Sequence, residues 1–458
     1  MNISETIAAI STPLGEGGIA VIRISGEIAF RIIENIFYRD NSGKNKINVS
    51  ELDSHSIHFG YILEIDSLID EVLISIFKNP HSYTGEDVIE ISSHGGVYIS
   101  QKILDLILKS GAVHADPGEF TKRAFLNGRI DLAQAEAVAD LIRSKTESAH
   151  SSSIKQLEGS LSEFVKKTRQ DIINIVSLVE LELDFAEEGL EFIKKEEIKT
   201  KITGLNERLK KIISSYISGK VIREGINLVI AGKPNSGKSS LFNYLLKTNR
   251  AIVSSIAGTT RDYIEENLII NGILFNLIDT AGLRHSSDDI ESEGIKRSHA
   301  KIKESDLILY LIDSSQSPEE FKREIDEFKE SGNLDKSLLV FSKSDLSKSE
   351  SSFSGINISL LKDETIEQLK SEMTGRIMSD KIKLSSDEII LTNLRHRICL
   401  ENVVLSLNDS LKTIEDGMSG EFISVDLRNS LKHLGEITGE VTNDEILNNI
   451  FRNFCIGK

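Results

Sequence analysis

Short apolar runs broken by turn residues open the chain. Ile19-Ala-Val-Ile-Arg-Ile24 stops at Ser25-Gly26, Val72-Leu-Ile-Ser-Ile-Phe77 at Asn79-Pro80, and Val88-Ile-Glu-Ile91 at Gly95-Gly96. Runs of that length, so punctuated, predict strands. Just beyond them, Ile103, Leu104, Ile107 and Leu108 recur at helical spacing and predict one amphipathic helix over Gln101–Leu108, laid on the sheet. From about Asp131 to Lys220 glycine is sparse and proline absent, while Leu161, Phe164, Ile172, Ile175, Val179 and Leu183 mark a helix face. The helical pattern returns late, with Leu391, Leu394, Ile398, Val403 and Leu407 as core candidates. Neither helical stretch makes a large bundle alone, so the two are expected to pack together with the segment between them inserted. The expected order is a mixed α+β domain over 1–120, helices over 121–220, an α/β domain over 221–380 and helices again over 381–458.

Composition narrows the class. At 458 residues the chain exceeds what one core serves. It has no run of eighteen apolar residues, and Met-Asn-Ile-Ser-Glu-Thr lacks an export signature, so a cytoplasmic protein with no membrane partner is expected. Two cysteines, Cys399 and Cys455, exclude a disulfide scaffold and a Cys-rich zinc site. The formal charge of −17 argues against a whole-surface nucleic-acid binder, so any RNA contact needs a local patch or a partner.

The segment 221–380 carries the chemistry. An apolar run, Ile226–Ala231, leads into Gly232-Lys-Pro-Asn-Ser-Gly237-Lys238-Ser239 and a helix start. In that context Gly232 and Gly237 allow amides to turn around phosphate oxygens, Lys238 reaches the β and γ phosphates, and Ser239 offers a hydroxyl to magnesium, with Asn235, Ser236 and Ser240 completing the loop. A second run, Ile273–Ile278, ends in Asp279-Thr280-Ala281-Gly282, suited to hold magnesium through water and to sense a γ-phosphate. Between them Ser254, Ser255, Ile256, Ala257, Gly258, Thr259 and Thr260 form a threonine-bearing switch, with Thr260 the second magnesium candidate. Leu338–Phe341 is followed by Ser342-Lys343-Ser-Asp345, in which Asp345 selects guanine over adenine. Ser342 stands where asparagine is usual, and weaker nucleotide binding is expected because that asparagine ties the loop to the phosphate loop. Ile358-Ser359-Leu360 is the expected base-shielding segment. Leu283 occupies the place of the usual water-positioning glutamine, which leaves Glu291 either as the water-orienting carboxylate or as one more solvated acid. These elements, in this order, predict a GTP hydrolase.

Over its whole length the chain resembles the MnmE (TrmE) family of tRNA-modification GTPases. The resemblance rests on Gly15-Glu-Gly-Gly-Ile-Ala-Val-Ile-Arg23-Ile-Ser-Gly26, Ser82-Tyr-Thr-Gly-Glu-Asp87, His94-Gly-Gly96, the block Pro117 to Arg129, Asp131-Leu-Ala-Gln-Ala-Glu-Ala137 and the terminal Phe454-Cys-Ile-Gly-Lys458. It implies an N-terminal α+β folate-binding-like domain that dimerises, a discontinuous helical domain and an inserted Ras-like P-loop GTPase domain. It further implies a homodimer whose GTPase domains meet across potassium, and a heterotetramer with the flavoprotein MnmG that modifies C5 of the wobble uridine of certain tRNAs. The implied cofactors are GTP, magnesium, potassium and a 5,10-methylene- or 5-formyl-tetrahydrofolate. Carried over position by position, Asn235, Ser254, Ile256 and Thr259 match the potassium ligands, Ser239 and Thr260 the magnesium ligands, and Glu291 the water-orienting glutamate. Arg23, Glu90, Arg129 and Lys458 match the folate contacts, and Cys455 a residue near the one-carbon unit. Read from the residues alone, Arg23 is a strand-end surface charge before it is a ligand contact, and a small buried residue packing a helix end is the alternative for Cys455. A ribosome-assembly switch that binds structured RNA is the alternative the GTPase motifs leave open; it has no need of the N-terminal block or the Phe454–Lys458 tail.

Overall fold

The computed structural model describes residues 5–65, 67–184, 195–249, 265–278, 305–330, 334–346, 355–381, 389–442 and 444–458. They form two compact units, each assembled from discontinuous stretches. One comprises Met1–Ala139, Gln156–Leu190 and Ser419–Lys458, the other Asp140–Lys155 and Glu191–Met418.

The first unit is built on a sheet ordered β3-β4-β5-β6-β2-β1-β7, with β1 (Ile7–Ile10), β2 (Ile19–Ser25), β3 (Phe37–Tyr38), β4 (Ser56–Glu64), β5 (Ser67–Phe77), β6 (Val88–His94) and β7 (Val113–His114). Its neighbours are antiparallel except β1 and β7. Period-two alternation divides the central strands between two faces. Ala8, Ile22, Ile24, Ile74, Ile76, Ile89 and Ile91 face the helices Ala29–Ile36 and Val97–Lys109 in the main core. The opposite face carries Ala9, Arg23 and Glu90, aligned across β1, β2 and β6. The helix expected at 101–108 begins earlier, at Val97, and buries Ile103, Leu104 and Ile107.

The second unit holds a sheet ordered β13-β12-β11-β8-β10-β9, with β8 (Ile226–Ala231), β9 (Glu265–Ile270), β10 (Ile273–Ile278), β11 (Leu307–Asp313), β12 (Ser337–Ser342) and β13 (Ile356–Asn357). All its pairings are parallel except β9–β10. That hairpin turns on Asn271-Gly272, both at positive φ, as a tight primed turn requires. Buried on both sides, β8 and β11 read as continuous apolar runs rather than alternating ones.

The late helices do pack on the early ones. In the first unit Gly420–Thr438 lies against Ser160–Asp184, where Gly420 approaches Leu183 and Arg169 Nη1 donates to Leu431 O at 2.9 Å. In the second, Leu394–Glu415 lies against Lys195–Ser214, with Lys199 Nζ 2.7 Å from Glu415 Oε1. One expectation is corrected. Leu394 and Ile398 are 50% and 47% exposed, while His396, Cys399, Leu400, Val403 and Leu407 are buried. The apolar residues wrap more than half the helix, and its partner selects the face that includes the polar His396. Among the described residues no helix is long and apolar enough to cross a membrane.

Candidate functional site

In the second unit the parallel strands β8, β11 and β12 deliver their C-terminal ends to one edge, where an open α/β sheet binds ligands. After β8 the chain turns through Gly232 (φ 140°), Asn235 (φ 65°) and Gly237 (φ 91°) into the helix Lys238–Asn249. A Cβ at Gly232 would lie 2.3 Å from Leu311 O, so only glycine holds that turn. Lys238 Nζ donates to Lys233 O at 2.6 Å, and Ser239 and Ser240 are exposed in the first helical turn. Ser236 Oγ is buried with no hydrogen-bond partner among the described residues. An orphaned hydroxyl inside a loop of inward-turned backbone fits an anion.

The β12 loop closes the other side. Ser342 Oγ lies 2.7 Å from Ser236 O and 3.2 Å from Ile312 O, so the serine still ties this loop to the phosphate loop. Asparagine is the usual residue for this tie; serine makes it here because β12 brings its hydroxyl directly onto the carbonyl. Lys343, at φ 54°, pairs with Asp313 at 2.5 Å. Burial pushes the Asp313 carboxyl up, but Lys343 and Ser315 outweigh it and hold it below the ordinary range. Asp345 Oδ1 accepts from Ser359 Oγ at 2.6 Å, and Ser344 N donates to Ile358 O. A cavity of about 200 Å³ lies between Gly237, Ser240, Lys343, Asp345, Ser359 and Leu360, so the Ile358–Leu360 segment stands at the same opening as the phosphate loop. Ser254, Ser255, Ile256, Ala257, Gly258, Thr259, Thr260, Asp279, Thr280, Ala281, Gly282 and Glu291 lie outside the described residues.

In the first unit a charged cluster sits on the sheet face away from the main core. Arg23 Nε donates to Glu90 Oε1 at 2.8 Å, Nη2 lies 2.7 Å from the same oxygen, and Nη1 donates to Gly457 O at 3.2 Å. Ser11 Oγ donates to Gly457 O at 3.1 Å, which pins the chain's end across β1 and β2. Gly457 is at φ 90°, and a Cβ there would lie 2.6 Å from Ile10 O. The tail arrives by way of Phe451 and Phe454, buried with Leu132 and Ala135, and Gly118 N donates to Cys455 O at 3.4 Å. Cys455 is exposed. Burial and the Arg23 charge hold the Lys458 amine below its usual range, against opposite pulls from Glu90 and Cys455. Arg129 is exposed, its stem near Gly85, and makes no hydrogen bond or ion pair with Arg23, Glu90 or Lys458 among the described residues.

Sequence reasoning missed the frame around this cluster. The Arg23 guanidinium lies 5.1 Å from the Tyr83 ring centroid and 5.5 Å from that of Phe120. Tyr83, whose hydroxyl burial raises above its ordinary pKa, bonds Thr121 at 2.8 Å. Beneath them Arg123, 4% exposed, pairs with Glu86 at 3.1 Å and Glu119 at 2.9 Å, and Ser25 donates to Glu86 at 2.7 Å. Tyr83 and Glu86 belong to the motif block 82–87, Glu119 to Arg123 to the block 117–129 and Ser25 to the block 15–26, but only the fold brings the three blocks together.

Comparison with known proteins covers both units. The family described as GTP-binding protein TrmE N-terminus matches residues 6–129, and that described as MnmE helical domain matches 132–455. The tRNA modification GTPase MnmE of Flavobacterium johnsoniae is 44% identical over 468 residues, covering 99% of each chain, and that of Clostridioides difficile is 43% identical over 468 residues, covering all of both. Among solved structures the chain resembles the G domain of the T. maritima FeoB iron transporter at 26% identity, covering 33% of this chain and 98% of that one with a TM-score of 0.25, too low to carry an argument. With a P-loop nucleotide site in one unit and matches that run from end to end, the chain belongs to the MnmE family of tRNA-modification GTPases.

Proposed function

We propose that this protein is a cytoplasmic, potassium-activated GTP hydrolase that acts as a homodimer. With MnmG, in a heterotetramer, it adds an aminomethyl or carboxymethylaminomethyl group to C5 of the wobble uridine of certain tRNAs, drawing on a tetrahydrofolate one-carbon unit. The observation that carries the reading is the seating of the C-terminal tail on the Arg23–Glu90 pair, in a chain that also carries a phosphate loop hydrogen-bonded to its guanine loop.

In the nucleotide site Lys238 exchanges Lys233 O for the β and γ phosphates, Asp345 accepts from guanine, and Lys343 stiffens the loop through Asp313. Ser239 and Thr260 hold magnesium, which supplies charge neutralisation at the transferring phosphoryl group. Asn235, Ser254, Ile256 and Thr259 hold potassium, which supplies the positive charge an arginine finger supplies elsewhere. Glu291 orients the attacking water, and Asp279 with Gly282 reports the γ-phosphate.

In the N-terminal unit Glu90 accepts from the donor edge of a pterin, while Arg23, Arg129 and Lys458 receive its acidic tail. The folate derivative supplies the one-carbon unit, with the exposed Cys455 thiol beside it. GTP turnover compared in potassium and sodium at matched ionic strength, with ATP as control, tests the first half: equal rates in the two salts would refute potassium activation. Calorimetry with 5-formyltetrahydrofolate tests the second, and the folate assignment falls if Arg23→Ala binds as the parent does.

A further inference from the structure

On the open face of the first unit's sheet, strand register sets a small grid of side chains beside the Arg23–Glu90 pair. Arg23 stands opposite Glu90 across β2 and β6, and Glu90 opposite Ser75 across β6 and β5. One step along, Val21 stands opposite Ser92, and Ser92 opposite Leu73. Strand alternation puts all six on one face, because Ile22, Ile74, Ile76, Ile89 and Ile91 are turned into the main core. Directly opposed residues lie roughly 4.5–5.5 Å apart at Cα and residues two apart on a strand about 7 Å, so one bicyclic ring reaches Glu90, Ser75 and Ser92 together. The polar atoms of the grid are open. Arg23 Nε and Nη2 converge on Glu90 Oε1 at 2.8 and 2.7 Å, and Glu90 Oε2 accepts no hydrogen bond among the described residues. Ser75 and Ser92 are half-buried, and neither hydroxyl makes a hydrogen bond among the described residues, whereas Ser25, farther along β2, is bonded to Thr84 and Glu86. Half-buried polar groups of this kind take their partners from water or from a ligand. Val21, half-buried, and Leu73, 43% exposed, wall Ser92 on its two sides. A carboxylate oxygen, two hydroxyls and two aliphatic walls suit a flat, neutral heterocycle whose edge both donates and accepts. An acidic group does not suit this side, since Glu71, next beyond Leu73 on the same face, is exposed.

We propose that the pterin ring of the folate ligand lies across β6 between Val21 and Leu73, with Ser75 and Ser92 as its hydroxyl contacts. Glu90 Oε2 accepts from the ring's exocyclic amine, and the serines meet the polar ring atoms that a single carboxylate oxygen leaves unsatisfied. The acidic tail then runs the opposite way, over Arg23 towards the Gly457–Lys458 end that crosses β1 and β2. The proposal rests on the folate reading and adds to it the residues that fix the ring's orientation.

The test is calorimetry on the full chain with 5-formyltetrahydrofolate in its monoglutamate and triglutamate forms, for the parent, Ser75→Ala, Ser92→Ala and Arg23→Ala. Both serines project from an open face, so alanine at either position leaves the melting temperature at the parent's value. Each serine variant should bind the ligand on the order of fivefold more weakly, the loss of one neutral hydrogen bond. Because the ring rather than the tail meets the serines, that factor should be the same for both tail lengths. Parental affinity in both serine variants overturns the proposal, and so does a loss confined to the triglutamate. If Arg23→Ala loses the ligand while the serine variants keep it, the folate reading stands and the ring contacts alone are wrong. No binding by the parent removes both.

Discussion

A single hydroxyl or charge decides several features at the residue scale. Ser342 replaces a longer amide yet keeps the bond to the phosphate loop, and the cost of losing it is predictable. Ser342→Ala should weaken GTP binding roughly fivefold, the equivalent of about 1 kcal/mol, measured with a fluorescent GTP analogue; unchanged affinity would show that the tie is idle. His94 is the second case. Its Nδ1 lies 2.6 Å from Asp70 Oδ1, and Asp70 also accepts from the His94 amide at 2.8 Å. The hydrogen bond and then the charge of Asp70 raise the His94 pKa above 6.5. A raised folded value means that the pair stabilises the fold fully below about pH 6.5 and loses that contribution as pH rises through the folded value. Histidine-selective NMR should record the upward shift and its loss in Asp70→Asn. The identities of both residues were legible in the sequence. Their pairing was not, because Asp70 and His94 meet only when β5 and β6 align.

At the scale of elements, strands betray themselves when the chain supplies a turn residue at each end. β8 and β10 match their expected limits, since a continuous apolar run between polar boundaries has no second reading as a short strand. The helix Leu394–Glu415 shows where periodicity stops informing. Its apolar residues exceed one face, so several stripes are compatible with the pattern and the packed partner selects among them. The choice has a measurable consequence. Leu400→Ala should destabilise the chain by about 2–5 kcal/mol because it opens a cavity at a fully buried site. Ile398→Ser, on the exposed side, should stay within about 0.5 kcal/mol. Thermal melts of the two variants check this, and a large loss at Ile398 would mean that another surface covers that face.

At the scale of the whole molecule, one group of exposed apolar residues among the described ones lies together on β4 and β5 of the first sheet. Ile57 and Leu73 are 66% and 43% exposed, Phe59 is 56% exposed, and Phe59 faces Leu73 across β4 and β5 while stacking edgewise on Tyr61. The proposed homodimer would bury such a face. Phe59→Asp should therefore halve the mass measured by light scattering on a sizing column, whereas an unchanged mass would move the dimer contact elsewhere. What the sequence alone determined was the set of local devices: strand, loop and helix of the phosphate site, and the motif blocks that carry the family. Each is written in a few consecutive residues whose backbone needs follow from their own chemistry. Tertiary structure alone decided which distant residues share a layer. It brought Gly457 onto Arg23 and Ser11, Glu86 onto a buried Arg123, and Ser342 onto Ser236. Those contacts join positions scores to hundreds of residues apart, and strand order and register, which set them, are properties of the assembled sheet rather than of any segment within it.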